Sequence, residues 1–69
     1  MRVLLNGERR NLPEGATLAD LVKDCGLDGE RRRGIAVAVD AEVVPRSAWE
    51  RTQLSDGQKI ELLTAIQGG

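Results

Sequence analysis

The fold is decided by residues 17–26, which read Thr17-Leu18-Ala19-Asp20-Leu21-Val22-Lys23-Asp24-Cys25-Gly26. The apolar residues of this stretch recur at i, i+3, i+4 and i+7, so that they form one stripe along a helix. Thr17 is a favourable N-cap, and Asp20, three residues on, completes a pattern similar to a capping box. Gly26 lies where a left-handed residue commonly ends a helix. We therefore predict one amphipathic helix whose apolar stripe needs a sheet to cover it.

A β-hairpin is predicted before this helix. Residues 2–5 alternate in the manner of a short strand with a buried face. Asn6-Gly7 then predicts a type I′ turn, because both central positions of that turn require a positive φ. The return strand is expected from Glu8 to Leu12, and its polar residues suit the edge of a sheet. Pro13-Glu14-Gly15 ends it.

Two strands and a short extended segment are predicted after the helix. Ile35-Ala36-Val37-Ala38-Val39 is a strand with apolar residues on both faces. Asp40-Ala41 turns the chain into the short segment Glu42-Val43-Val44. The last strand is expected from Lys59 to Ile66. Its alternation places Ile60, Leu62 and Ile66 on one face, and Leu63 and Ala65 on the other.

Between these strands, residues 46–54 are expected to be irregular or to form one helical turn. Trp49, the only aromatic residue of the chain, is interpreted as a core residue beneath this loop, with a surface anchor for a partner as the alternative. The order of hairpin, helix, strand, short strand and strand predicts one α+β domain. In it, a mixed sheet of four or five strands is covered on one face by one main helix.

Composition excludes several classes of function. The chain of 69 residues has ten basic and eleven acidic residues, a balance that argues against nucleic-acid binding. It lacks a long apolar run and an N-terminal leader pattern, so we expect neither membrane association nor export. It contains no histidine, and its single cysteine, Cys25, fits a reducing cytoplasm. We therefore expect a cytoplasmic protein that is not an enzyme, and that binds neither a metal nor a cofactor.

Two polar features each have a structural and a functional interpretation. Cys25 closes the apolar stripe of the helix, so we interpret it as a core or near-core residue; the alternative is a reactive thiol. Arg31-Arg32-Arg33 is the only run of basic residues, and we interpret it as a solvated surface. The alternative for this run is contact with an acidic partner protein.

The sequence ends on Ala65-Ile66-Gln67-Gly68-Gly69. Two terminal glycines contribute nothing to packing, and they lose much conformational freedom when they are held still. They do provide a thin, flexible arm, whose terminal carboxylate could enter a narrow site. We therefore expect a folded domain over residues 1–66 and a flexible tail over residues 67–69. The alternatives are ordinary fraying and the remnant of a linker.

Taken together, these features resemble the ubiquitin-like β-grasp proteins, and more specifically the ThiS family of thiamin sulfur carriers. The resemblance covers the whole chain, and its most specific part is the combination of three motifs. They are Val44-Pro45-Arg46-x-x-Trp49, then Asp56-Gly57 before the last strand, and the terminal Gly68-Gly69.

This resemblance implies a carrier protein with no catalytic groups of its own. An E1-like adenylyltransferase would use ATP and Mg²⁺ to adenylate the Gly69 carboxylate, and a persulfide protein would donate the sulfur. Gly69 would then carry a thiocarboxylate, which thiazole synthase would use to form the thiazole ring. Gln67 and Gly68 would enter the partner's site with it, and Leu63, Ala65 and Ile66 could contribute to docking.

Other members of the same fold remain as alternatives. One is a sulfur carrier of another pathway, similar to the small subunit of molybdopterin synthase, although the Pro45-Arg46-x-x-Trp49 segment favours the thiamin carrier. Another is a modifier that becomes conjugated to lysines, as ubiquitin does, and a third is a plain interaction module. In each case we expect a monomer.

Overall fold

The computed structural model of the protein describes residues 1–27 and 33–64. In these ranges the strands and helices are β1 (Arg2–Leu5), β2 (Glu8–Asn11), α1 (Leu18–Asp24), β3 (Ile35–Val39), β4 (Glu42–Val44), a 3-10 helix (Arg46–Arg51) and β5 (Lys59–Thr64). The five strands form one sheet in the order β2-β1-β5-β3-β4. β1 and β5 are parallel, while the other neighbours are antiparallel. The predicted α+β fold with a mixed sheet and one main helix is confirmed.

Helix α1 has the termini that its sequence predicts. The Thr17 hydroxyl accepts a hydrogen bond from the Asp20 N–H at 3.2 Å, and the Asp20 carboxylate accepts one from the Thr17 N–H at 2.9 Å. These two bonds form the capping box and satisfy donors that a helix start otherwise leaves open. Gly26 has a φ of 78°, as a left-handed residue after the helix requires.

Both hairpins use two-residue turns with positive φ. Asn6 and Gly7 have φ values of 49° and 84°, and Leu5 lies opposite Glu8. Asp40 and Ala41 have φ values of 49° and 70°, and Val39 lies opposite Glu42. The first turn was predictable from Asn-Gly. The second places an alanine in the left-handed region, which an L-residue with a Cβ adopts at a cost.

The hydrophobic core lies between the inner face of the sheet and α1. Its buried residues are Val3, Leu12, Ala16, Leu18, Leu21, Val22, Val37, Trp49, Leu54, Ile60 and Leu62. The Trp49 side chain is 1% exposed, and its indole N–H donates to the Val44 carbonyl at 2.9 Å. The interpretation of Trp49 as a core residue is therefore confirmed.

Three details differ from or limit the sequence predictions. The return strand ends at Asn11, one residue before the predicted Leu12, whose side chain is buried in the core. On β3, Val37 is buried whereas Ala36 is exposed, so the helix layer covers one face of the sheet. β5 extends to Thr64, and the remaining predicted strand residues, 65 and 66, lie outside the described ranges.

Within the described ranges, no helix has the length and apolarity to cross a membrane.

Candidate functional site

The uncovered face of the sheet carries two large apolar side chains in open solvent. Leu63 on β5 is 70% exposed, and Val43 on β4 is 73% exposed. Both point away from α1, because Leu62 and Val44, their neighbours in the strands, pack on the inner side. The sequence alternation had placed Leu63 on this face. Val43 was missed, because a strand of three residues is too short for its period to show which valine faces outward.

The two exposed residues frame a shallow floor of alanines. In the sheet, Ala36 lies opposite Leu63, and Ala38 lies opposite Val43. Because β3 separates β4 from β5, the backbones that carry Val43 and Leu63 are about 10 Å apart. We call Ala36, Ala38, Val43 and Leu63 the outer patch. Its four residues are apolar, and the exposed Glu61, which lies opposite Ala38 on β5, borders them on the same face.

Charged residues continue the same face along β5 and across β1 to β2. Arg9 lies opposite Leu4, and Leu4 lies beside Lys59 across the β1–β5 pairing. Arg9 and Lys59 are exposed, whereas Leu4 is partly buried. The outer patch is therefore an apolar area with a polar border, which is typical of a surface that binds another protein.

β5 connects this patch with the end of the chain. Leu63 is the last residue but one of β5, and only Thr64 separates it from the segment that ends at Gly69. The other predicted site residues lie outside the described residues; they are Ala65, Ile66, Gln67, Gly68 and Gly69. A protein bound on the outer patch would thus lie beside the point from which the chain continues to its terminal glycines.

Two turn residues hold β5 in place, and sequence analysis did not anticipate either of them in this role. The Asn6 carboxamide donates to the Leu62 carbonyl at 3.1 Å and accepts from the Leu62 N–H at 2.9 Å. At the start of β5, the Asp40 carboxylate accepts from the Lys59 N–H at 3.0 Å. An asparagine or aspartate in a turn is usually attributed to its tolerance of positive φ. Here both side chains also form hydrogen bonds with β5, far along the chain, and the turn pattern gives no sign of these bonds.

The other polar candidates do not assemble into a site. Cys25 is half-buried at the end of α1, with its Sγ 3.5 Å from Arg10 Nη1. The same Arg10 nitrogen forms an ion pair with Asp24 at 2.9 Å. Cys25 is therefore near the core, as predicted. Of the arginine run, Arg33 is exposed, and the other two arginines lie outside the described residues. Among residues 1–27 and 33–64, no cluster of three potential metal ligands occurs.

The sequence matches the ThiS family over residues 3–69. The sulfur carrier protein ThiS of Escherichia coli is 33% identical over 69 residues, which cover 100% of both chains. The thiazole synthase of Paramagnetospirillum magneticum is 35% identical over 69 residues, which are 100% of this chain but only 20% of that protein.

The fold has a counterpart among solved structures. The crystal structure of the thiamine biosynthesis protein ThiS from Geobacter metallireducens superposes with a TM-score of 0.80, at 24% identity and 100% coverage of both chains. This likeness confirms the β-grasp fold. The family match from residue 3 to residue 69 and the full-length match to the E. coli carrier show that the chain belongs to the ThiS family of sulfur carrier proteins.

Proposed function

We propose that this protein carries sulfur as a thiocarboxylate on Gly69 and delivers it for the thiazole ring of thiamine. The observation that carries the proposal is the extent of the ThiS match, which runs to residue 69 and so includes Gly68 and Gly69. The domain over residues 1–66 presents the reacting group on a tail of residues 67–69, and the chain supplies no catalytic group of its own.

The first step activates the terminal carboxylate. A carboxylate resists nucleophilic attack because its charge repels the nucleophile and oxide is a poor leaving group. An E1-like adenylyltransferase, using ATP and Mg²⁺, joins a Gly69 carboxylate oxygen to the α-phosphorus of ATP and releases pyrophosphate. The resulting acyl-adenylate has a good leaving group, AMP, on its carbonyl carbon. The partner's Mg²⁺ would supply positive charge for this step.

The second step introduces sulfur. The terminal sulfur of a persulfide on a donor protein attacks the Gly69 carbonyl carbon, and AMP leaves. A thiol then cleaves the sulfur–sulfur bond of this acyl disulfide, which leaves the thiocarboxylate on Gly69 and a disulfide on the donor side. Both glycines keep the arm narrow, so that the carbonyl can reach the reacting atoms inside a partner's pocket.

Thiazole synthase is the proposed acceptor. The P. magneticum protein named thiazole synthase contains a stretch that is 35% identical to this whole chain. This match supports the proposal that a domain such as this one acts together with a thiazole synthase. The thiocarboxylate sulfur is a nucleophile, and it would attack an electrophilic intermediate held by the synthase.

The outer patch is the proposed docking surface for these partners. The side chains of Leu63 and Val43 are exposed to water. Burial of their apolar surface against a partner would be favourable by roughly 25 cal/mol per Å². Docking there would bring the partner to the end of β5. Ala65 and Ile66 continue the chain from this strand, and we propose that they extend the docking surface.

The experiment that tests the proposal is loading of the full chain by its adenylating enzyme. The protein is incubated with that enzyme, ATP, Mg²⁺ and a persulfide donor, and its intact mass is measured. Exchange of one oxygen for sulfur at the C-terminus is the expected product. An unchanged mass, with the enzyme shown to be active on another carrier, would contradict the proposal.

A further inference from the structure

We propose that Arg9 and Lys59 bind acidic side chains on the docking surface of the adenylating enzyme, an inference that rests on the proposed function. The two cations lie on the uncovered face of the sheet, where they flank Leu4 beside the outer patch. They do not touch the reacting atoms. Their role is to select the partner and to fix how the domain lies on it.

Arg9, Leu4 and Lys59 form one row across three neighbouring strands. Arg9 on β2 is the antiparallel partner of Leu4 on β1, and Leu4 is the parallel partner of Lys59 on β5. Neighbouring strands are about 4.8 Å apart, so the backbones of the two cationic residues are about 10 Å apart. Leu4 is partly buried, whereas Arg9 and Lys59 are exposed. The row therefore presents one cation on each side of an apolar floor.

Neither cation has an acidic partner within the described part of the domain. Among residues 1–27 and 33–64, no ion pair involves Arg9 or Lys59. The Asp40 carboxylate accepts from the Lys59 backbone N–H at 3.0 Å, so it caps the start of β5 and does not pair with the Lys59 ammonium. Glu61 shares the uncovered face two residues along β5, and it is not ion-paired with Lys59 in those ranges either. Both cations are therefore available to carboxylates of another protein.

These charges make the uncovered face asymmetric. One half, on β3, β4 and the end of β5, is the apolar outer patch, and the other half, on β2, β1 and the start of β5, carries the two cations. Consider a partner with apolar residues opposite Leu63 and carboxylates opposite Arg9 and Lys59. It matches both halves in one orientation only. Complementary charges across an interface fix its register and exclude partners that present a like charge.

The adenylating enzyme is the partner to which we assign this acidic surface, because it must recognise the chain before any sulfur is attached. Other proteins also end in a free carboxylate, so the folded domain has to distinguish the carrier from them. Charges at the border of an interface act mainly on association and on its dependence on salt. Their removal should therefore weaken recognition and leave the chemistry of the bound complex unchanged.

The two lysines of the chain permit a matched test. Lys59→Glu and Lys23→Glu make the same change of charge at exposed positions, the first on the uncovered face and the second on α1, across the sheet. Arg9→Glu tests the other cation, and Lys59→Gln removes a charge without reversing it. The rate is measured as ATP–pyrophosphate exchange by the adenylating enzyme, against carrier concentration and at several salt concentrations, below the melting temperature of each variant.

We expect Lys59→Glu and Arg9→Glu each to raise KM about tenfold and to keep kcat within about twofold of wild type. Lys59→Gln should raise KM about threefold, and Lys23→Glu should leave it within about twofold. Added salt should raise the KM of the wild type more steeply than that of Lys59→Glu, since screening weakens the attraction that this variant has already lost.

A KM of Lys59→Glu no higher than that of Lys23→Glu would overturn the inference, as would a lower kcat at unchanged KM. If Lys59→Glu does not fold, an unchanged KM in Lys59→Gln would overturn it. Normal loading of Lys59→Glu with slower transfer to thiazole synthase would overturn it too, because the acidic surface would then belong to that enzyme. Absence of exchange with the wild-type chain is a different result: it would contradict the proposed function, and the inference would fall with it.

Discussion

At the scale of single residues, Ala41 is the clearest position where the backbone stores strain. Its φ of 70° costs an alanine about 1–2 kcal/mol, which glycine does not incur. Glycine also loses about 0.5–1 kcal/mol of additional backbone entropy on folding. We expect Ala41→Gly to raise the free energy of unfolding by about 0.5–1 kcal/mol.

Urea denaturation measures this change as a higher midpoint at unchanged slope. The control is Ala19→Gly in α1, where helical φ gives glycine no advantage and a loss of about 1 kcal/mol is expected. A lower midpoint for Ala41→Gly would show that the turn is not strained.

The conformation of a single residue was predictable from the sequence only where local requirements determine it. Asn6 was correctly predicted to occupy a type I′ turn, because that requirement is local. Its bonds to Leu62, 56 residues away, were beyond prediction, since they depend on which strand becomes the neighbour of β1. The left-handed Ala41 was missed for a related reason: no local preference of alanine favours that conformation, and only the pairing of β3 with β4 imposes it.

At the scale of elements, α1 is short enough that its first turn matters. A helix of seven residues is not stable alone, so its capping box and its buried stripe must hold it together. We expect Thr17→Ala to reduce the free energy of unfolding by about 1 kcal/mol, because the Asp20 N–H loses its acceptor.

Thermal unfolding followed by far-UV circular dichroism tests this expectation. Thr17→Ser retains the hydroxyl and should stay close to wild type. A loss as large in the serine variant as in the alanine variant would mean that the Thr17 methyl group, and not the cap, stabilises this end of the helix.

The elements were largely predictable, whereas their arrangement was not. Capping residues, the Asn6-Gly7 turn and apolar periodicity are local signals, and they located the helix and the strands. The order β2-β1-β5-β3-β4 is not local, because it places the last strand between the first and the third. The exposure of Val43 was missed for a different reason, because the three residues of β4 are too few to show which valine faces outward.

At the scale of the whole molecule, the outer patch should be required for partner binding and dispensable for folding. Leu63 is 70% exposed, so a charge there costs the folded state little but must be desolvated when a partner docks. We expect Leu63→Asp to weaken the complex with the adenylating enzyme at least tenfold, measured by isothermal titration calorimetry.

Ser47→Asp is the matched control, since it adds the same charge at an exposed position of the 3-10 helix, away from the patch. It should bind as the wild type does. Unfolding of Leu63→Asp, or equal weakening in both variants, would remove the support for a docking surface on this face.

The most direct test of the central claim is the mass of the intact chain after loading. The wild-type protein is incubated with its adenylating enzyme, ATP, Mg²⁺ and a persulfide donor, beside a variant that lacks Gly68 and Gly69. We predict that the wild type exchanges one oxygen for sulfur and that the change maps to the C-terminal fragment. The truncated variant should retain its melting temperature and its mass. A wild-type chain that keeps its oxygen, with an enzyme proven active on another carrier, would contradict the account.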